Sequence, residues 1–366
     1  MKYRPEIDGL RAIAIIPVIL FHAGFSAFKG GFVGVDVFFV ISGYLITTII
    51  YSDIKNKSFS IAHFYERRIR RILPALFLVS LTSIPLALLI MLPSEFKDFS
   101  KSLAAVNSFS SNILFWQESG YFEPGAELKP LLHTWSIAVE EQFYIFFPLF
   151  LLLFKKLGTK RLIILLFAVT LISLGLAEYT AMLDSSANYY LLPSRIWELS
   201  IGAILAISIP VQNKTSLSFS AWASSFGLGM IIYSVFTMNK NMPFPSTWTL
   251  IPVLGTALII AYSKPTNVTG KILCWKPLCG LGLISYSTYL WHQPLFAFSR
   301  LREEDTTAEK YLILIFISIA AFFLLSENPS SVGNMAQIAT MLLVLPIIFL
   351  TVLLVPGNTV ERITTT

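Results

Sequence analysis

The stretch Leu10–Phe25 reads LRAIAIIPVILFHAGF and is apolar except for Arg11 and His22. The chain opens Met-Lys-Tyr-Arg ahead of it and offers no small-residue cleavage site. The stretch is therefore expected to be an uncleaved first membrane span rather than a signal peptide. Further apolar runs follow near 34–52, 72–92, 136–154, 162–183, 195–210, 220–237, 249–263, 279–299, 311–326 and 336–356. A membrane β-barrel would need alternating segments of about ten residues, and none is visible. The expected fold class is all-α: a polytopic transmembrane helical bundle of ten core spans plus an eleventh, C-terminal span. No repeat of transporter type and no inverted halves are evident.

Composition agrees with this class. Of 366 residues, 55% are hydrophobic and 13% charged, about half the roughly 25% charge that a soluble domain carries. A soluble globular protein and a disordered one are both excluded. The net charge of +6 marks cytoplasmic loops in so apolar a chain, and no nucleic-acid partner is expected. Cys274 and Cys279 lack CxxC spacing and nearby ligands, so both are expected to be structural and no metal site is expected.

Positive charge orients the spans. The loop 53–71 carries Lys55, Lys57, Arg67, Arg68, Arg70 and Arg71, and the next basic cluster is Lys155, Lys156, Lys160 and Arg161. Both face the cytoplasm only if the polar segment near 95–116 does not cross. That segment is expected to be re-entrant or amphipathic, within a non-cytoplasmic excursion over 93–134. The N-terminus is then cytoplasmic and the C-terminus lies on the far side.

Ionisable groups in a bilayer are costly and usually face a cavity or a partner. His22 lies eleven residues beyond Arg11, roughly 16 Å along a helix, in the outer half of the first span. Asp36, Glu140, Glu141, Arg195, Glu198 and His292 are expected at or near that outer depth. The inner mouth collects Arg11, Arg67, Arg68, Arg70 and Arg71. Guanidinium groups suit phosphates; imidazole and carboxylates suit proton transfer. Adjacent glutamates point about 100° apart on a helix, so one of Glu140 and Glu141 is expected to face the cavity. Plainer roles stand beside these. His22 can be a packing histidine, and the glutamates an interfacial pair with Arg195. The 67–71 cluster can bind lipid head groups. His133 can be a surface residue and Trp135 an interfacial anchor.

Six ordered blocks carry a resemblance: RPEIDGLRAIAIIPVILFHAG, GGFVGVDVFFVISGYLIT, FYERRIRRILPAL, LLHTWSIAVEEQFYIFFP, LLPSRIWELSIGA and ISYSTYLWHQPL. They are similar to the membrane-bound acyltransferase-3 family, which O-acetylates bacterial surface sugars, over roughly residues 1–300. The resemblance implies an Arg-x10-His pair, matched by Arg11 and His22. It also implies an Arg-x-x-Arg element, matched by Arg67–Arg70 and by Arg68–Arg71. It divides the chain into a membrane acyltransferase domain over 1–330 and an extra helix with a short periplasmic tail over 331–366. After the tenth span, where family members read like FIEKPFR, the chain has LLSENPSSVG. It carries no Gly-Asp-Ser or Asp-x-x-His motif, so no SGNH hydrolase-like domain is expected in it.

The expected activity is O-acetyl transfer at the bacterial inner membrane, from cytoplasmic acetyl-CoA to a hydroxyl of a surface polysaccharide or its lipid-linked precursor, O-antigen or similar. Arg11, Arg67, Arg68, Arg70 and Arg71 would hold the donor. His22 would be the base or carry the acetyl group, with Glu140 or Glu141 orienting it. Asp36, His133, Trp135, Arg195, Glu198 and His292 would line the acceptor pocket. Rival classes are a carrier or flippase for lipid-linked sugar, and a non-catalytic membrane module for a separate SGNH-type partner.

Overall fold

The computed structural model describes residues 3–118, 125–208 and 216–302. Among these, every regular element is helical. The α-helices are α1 (Pro5–His22), α2 (Gly34–Lys55), α3 (Ile61–Ile90), α4 (Pro93–Asn107), α5 (Ser111–Gln117), α6 (Trp135–Phe154), α7 (Thr159–Leu183), α8 (Ser185–Tyr190), α9 (Ile196–Ser208), α10 (Leu217–Thr237), α11 (Leu250–Tyr262), α12 (Val268–Leu273) and α13 (Lys276–Arg302). Nine of them, α1, α2, α3, α6, α7, α9, α10, α11 and α13, coincide with the first nine expected apolar runs. The expected tenth and eleventh spans, and the 331–366 unit, lie outside the described residues.

Helices α2, α3, α6, α7 and α10 are long and apolar enough to cross a membrane, and α9 and α11 are shorter apolar helices. Their outer faces suit lipid. Ile164, Phe167, Leu171 and Ile172 of α7 are all exposed, a patch that water would penalise. The segment near 95–116 forms two helices. On α4, Phe99, Ser102, Ala105 and Val106 point inward while Lys97, Asp98 and Lys101 are exposed. This is an amphipathic helix, started by Pro93 and by the Glu95 side chain, which accepts from the Leu92 N–H at 2.9 Å.

Two glycines set the positions of the site helices. A side chain at Gly282 of α13 would collide with the Asp8 carbonyl of α1, and one at Gly43 of α2 with the Leu199 carbonyl of α9. Small residues let helix backbones approach closely in this way. With Asp8 against Gly282 and His22 against His292, α1 and α13 run side by side in the same direction. They are among the most extensively packed pairs in the bundle, with α2 and α9.

Candidate functional site

A cavity of about 190 Å³ lies between α1, α2, α3, α6 and α13. Its polar lining is Arg11, Arg68, Arg71, Ser136, Glu140, Glu141, Tyr144, Tyr286 and Tyr289, with Ser42 and Ser285. Helical periodicity accounts for the set. Ser136, Glu140 and Tyr144 are four residues apart and form one stripe of α6; Arg68 and Arg71 are three apart on α3. Glu140 accepts from Ser42 Oγ at 3.1 Å and from Tyr144 OH at 3.2 Å. Arg11 is 3.6 Å from Asp8. Among the described residues, neither glutamate forms an ion pair with these arginines. Three guanidinium groups and two carboxylates thus share a void without closing on each other.

Three histidines meet at the other end of α1. His22 Nδ1 is 3.3 Å from His292 Nε2, and His292 Nδ1 is 2.6 Å from the Tyr289 carbonyl oxygen. The His133 ring lies 5.2 Å from that of His292. His133 is buried in a short 3₁₀ turn ahead of α6. Arg300 donates to the His22 carbonyl oxygen and lies 3.6 Å from the Glu127 carboxylate. The side chain of Glu127 is exposed; the desolvation it still feels opposes its ionisation, yet Lys240 and Arg300 hold its carboxyl below the usual glutamate range. Tyr289 joins the two ends. It lines the cavity, its ring lies 5.3 Å from that of His292, and its hydroxyl donates to the His133 carbonyl at 2.8 Å. The same hydroxyl is 2.7 Å from Ser136 Oγ.

The third polar cluster is closed. Arg195 pairs with Asp36 at 2.8 Å and with Glu198 at 3.0 Å, and its Nε donates to the Tyr189 carbonyl at 3.0 Å. The rings of Trp135, Tyr189 and Phe244 surround the guanidinium at 5.3, 5.0 and 5.0 Å. Asp36, Arg195 and Glu198 are all 0% exposed.

The sequence-predicted residues therefore separate into three groups and a remainder. Arg11, Arg68, Arg71, Glu140 and Glu141 share the cavity. His22, His133 and His292 form the imidazole cluster. Asp36, Trp135, Arg195 and Glu198 form the buried knot and do not line the cavity. Half-buried Arg67 pairs instead with Asp53 at 3.6 Å, and exposed Arg70 with Glu66 at 2.8 Å, and neither lines the cavity.

Four expectations change. The glutamates sit with the arginines rather than at the depth of the imidazoles, and both of them, not one, line the cavity. His133 is not a surface residue. Trp135, at 1% exposure, is not an interfacial anchor. Ser42, Ser136, Tyr144, Tyr286 and Tyr289 were not singled out from the sequence. Their signal was present in part: Tyr286, Tyr289 and His292 step by three along α13, and Ser136–Glu140–Tyr144 by four along α6.

A family model described as "Acyltransferase domain" matches residues 4–355. The chain is 35% identical, over 89% of its length and 54% of the relative's, to the peptidoglycan O-acetyltransferase OatA of Listeria monocytogenes serovar 1/2a. It is 34% identical, over 81% of its length and 51% of the relative's, to the O-acetyltransferase OatA of Staphylococcus aureus strain NCTC 8325. The chain thus spans about half the length of these curated relatives. No solved structure matches it.

Proposed function

The chain belongs to the acyltransferase family of that model, and from this premise we propose that it is a membrane O-acetyltransferase. It moves an acetyl group from acetyl-CoA to a hydroxyl of a cell-envelope glycan. The name of the Listeria relative favours peptidoglycan as the acceptor over the O-antigen expected from the sequence.

One observation carries the proposal: a cavity lined by Arg11, Arg68 and Arg71 that ends at Tyr289, against the ring of His292 and so one residue from His22. The donor set fits an anionic donor, since guanidinium groups bind phosphates through charge-assisted hydrogen bonds. The volume of about 190 Å³ is below the roughly 300–1,000 Å³ of a typical small-molecule pocket. It suits the acyl end of the donor, with the nucleotide outside the cavity on the arginine side. That side faces the cytoplasm by the positive-inside rule.

His22 acts as general base on the acceptor hydroxyl. The hydroxyl oxygen attacks the thioester carbonyl carbon as His22 takes the proton. The C–S bond then breaks, the acetyl ester remains on the glycan, and the proton returns to the leaving thiolate. Glu140 and Glu141, held among the arginines, tune the charge of the donor site rather than orient the imidazole.

The test is acetyl transfer from labelled acetyl-CoA by the purified protein. His22→Ala is expected to abolish transfer while acetyl-CoA still raises the thermal midpoint. Near wild-type transfer by that variant would remove His22 from the chemistry. An unshifted midpoint in wild-type protein would remove acetyl-CoA as donor.

A further inference from the structure

We propose that a second cavity, formed where α2 and α6 end and α7 begins, holds one anionic phospholipid, with its phosphate among Lys55, Lys57 and Lys155. The two cavities share no lining residue, and the proposal stands apart from the transferase reading.

This cavity is about 680 Å³, larger than the arginine–glutamate cavity and inside the roughly 300–1,000 Å³ range of small-molecule pockets. Its lining divides by chemistry. Ile54, Leu151 and Leu162 form an apolar part with the rings of Phe59 and Phe154, and Leu151 and Leu162 are buried. Lys55, Lys57 and Lys155 are exposed and supply all of its charge; no carboxylate lines it. Among the described residues, none of the three lysines forms an ion pair or a side-chain hydrogen bond. Asp53, the acidic residue nearest to them in sequence, pairs with Arg67 at 3.6 Å.

The local backbone keeps these charges at the cavity. At the end of α2, the Ser58 N–H donates to the Asp53 carbonyl at 2.9 Å and the Lys57 N–H to the Ile54 carbonyl at 3.1 Å. Lys57 has φ 58°. This helix-ending motif usually takes glycine at its left-handed position, because a side chain there is disfavoured. Here the position carries a lysine. Lys155 directly follows the last residue of α6, and Gly158, at φ 78°, turns the chain into α7. The hydroxyls of Tyr51 and Thr159, 2.9 Å apart, tie α2 to α7 beside the lysines.

Placement selects the occupant. Helices α2, α6 and α7 are long and apolar enough to span a membrane, so the cavity lies at a membrane–water boundary. The basic loops put that boundary on the cytoplasmic side by the positive-inside rule. Basic pockets between spans at this level bind anionic head groups. Leu149 and Leu153 of α6 and Ile164 of α7 are exposed nearby in the sequence and offer surface to acyl chains. A soluble anion would satisfy the lysines and leave the apolar part of the lining unused.

The test uses delipidated full-length protein in nanodiscs of phosphatidylcholine alone or of phosphatidylcholine mixed with phosphatidylglycerol. Wild-type protein is expected to retain one phosphatidylglycerol in native mass spectrometry and to have a higher thermal midpoint in the mixed discs. Each lysine beside an anionic head group is worth roughly fivefold in affinity. Lys55→Gln with Lys57→Gln and Lys155→Gln should therefore weaken retention roughly 100-fold and remove the midpoint response. Lys156→Gln with Lys160→Gln alters exposed lysines outside the cavity and should keep both. Absence of retained phosphatidylglycerol in wild-type protein would overturn the proposal without reference to any variant. Equal loss in the two variants would also overturn it, leaving a diffuse attraction to the membrane surface. A midpoint rise caused by inorganic phosphate or acetyl-CoA in phosphatidylcholine discs, and lost in the triple variant, would assign the cavity to a soluble anion instead.

Discussion

The arginine–glutamate cavity and the Asp36–Arg195–Glu198 knot use the same side-chain types in the same membrane bundle, yet one lines a cavity and the other gathers around a single guanidinium. In the knot, carboxylates, a carbonyl and three aromatic rings surround one guanidinium. In the cavity, three guanidinium groups and two carboxylates stand apart around a void. Buried ion pairs barely offset their own desolvation, so charge in a bundle is kept either to fix structure or to meet a ligand. The knot does the first, and the cavity has the form for the second.

The comparison predicts unequal costs. Arg195→Met leaves two carboxylates buried without their cation, and losing one partner of such a pair costs about 3–5 kcal/mol. Loss of folded protein from membranes, measured by detergent-extracted yield and thermal midpoint, is the expected result. A stable variant with weakened ligand binding would break the comparison, because the knot would then belong to the site. Arg68→Gln with Arg71→Gln should leave the midpoint nearly unchanged and weaken acetyl-CoA. Each lost charged hydrogen bond is worth about 1.5–3 kcal/mol, so titration calorimetry should show at least a tenfold rise in Kd. Arg67→Gln with Arg70→Gln removes solvent-accessible pairs outside the cavity, each worth about 0–1 kcal/mol, and should leave donor affinity as it was. A loss equal to that of the cavity pair would return the whole 67–71 cluster to donor binding.

The smallest expected effect is on acid stability. The carboxyl of Glu127 is held low by Lys240 and Arg300. A lowered value means the carboxylate contributes stability at neutral pH, and that contribution is lost as pH falls through the folded-state value. Glu127→Gln should therefore lower the midpoint slightly at neutral pH and match wild type under strong acid. An equal offset at both pH values would assign Glu127 a packing role instead.

Much of the fold was legible because lipid demands long apolar runs, and those runs stand out in any window. The Arg11–His22 spacing was legible for a related reason: both lie on one continuous helix, so residue count is distance. Glu140 was misplaced because its depth was counted from the wrong starting point. Residues 132–134 already form a turn, with His133 buried at the imidazole level. Glu140 is seven residues further on, about 10 Å deeper at helical rise, which brings it to the arginines. The choice between Arg67/Arg70 and Arg68/Arg71 was not legible either. Periodicity puts the two pairs on different faces of α3, but only packing against α6 and α13 decides which face turns inward. The knot was hidden because Asp36 and Arg195 are 159 residues apart and nothing local links them.

A protein that works through a membrane must also keep that membrane sealed. Tyr289 stands between the arginine cavity and the histidines with its hydroxyl bonded on two sides, to Ser136 and to the His133 carbonyl. The same two bonds set a tyrosine ring between the arginine cavity and the imidazole cluster, so the two polar groups do not run into one another. The residue best placed to link the two polar groups is thus also the one that insulates them from each other.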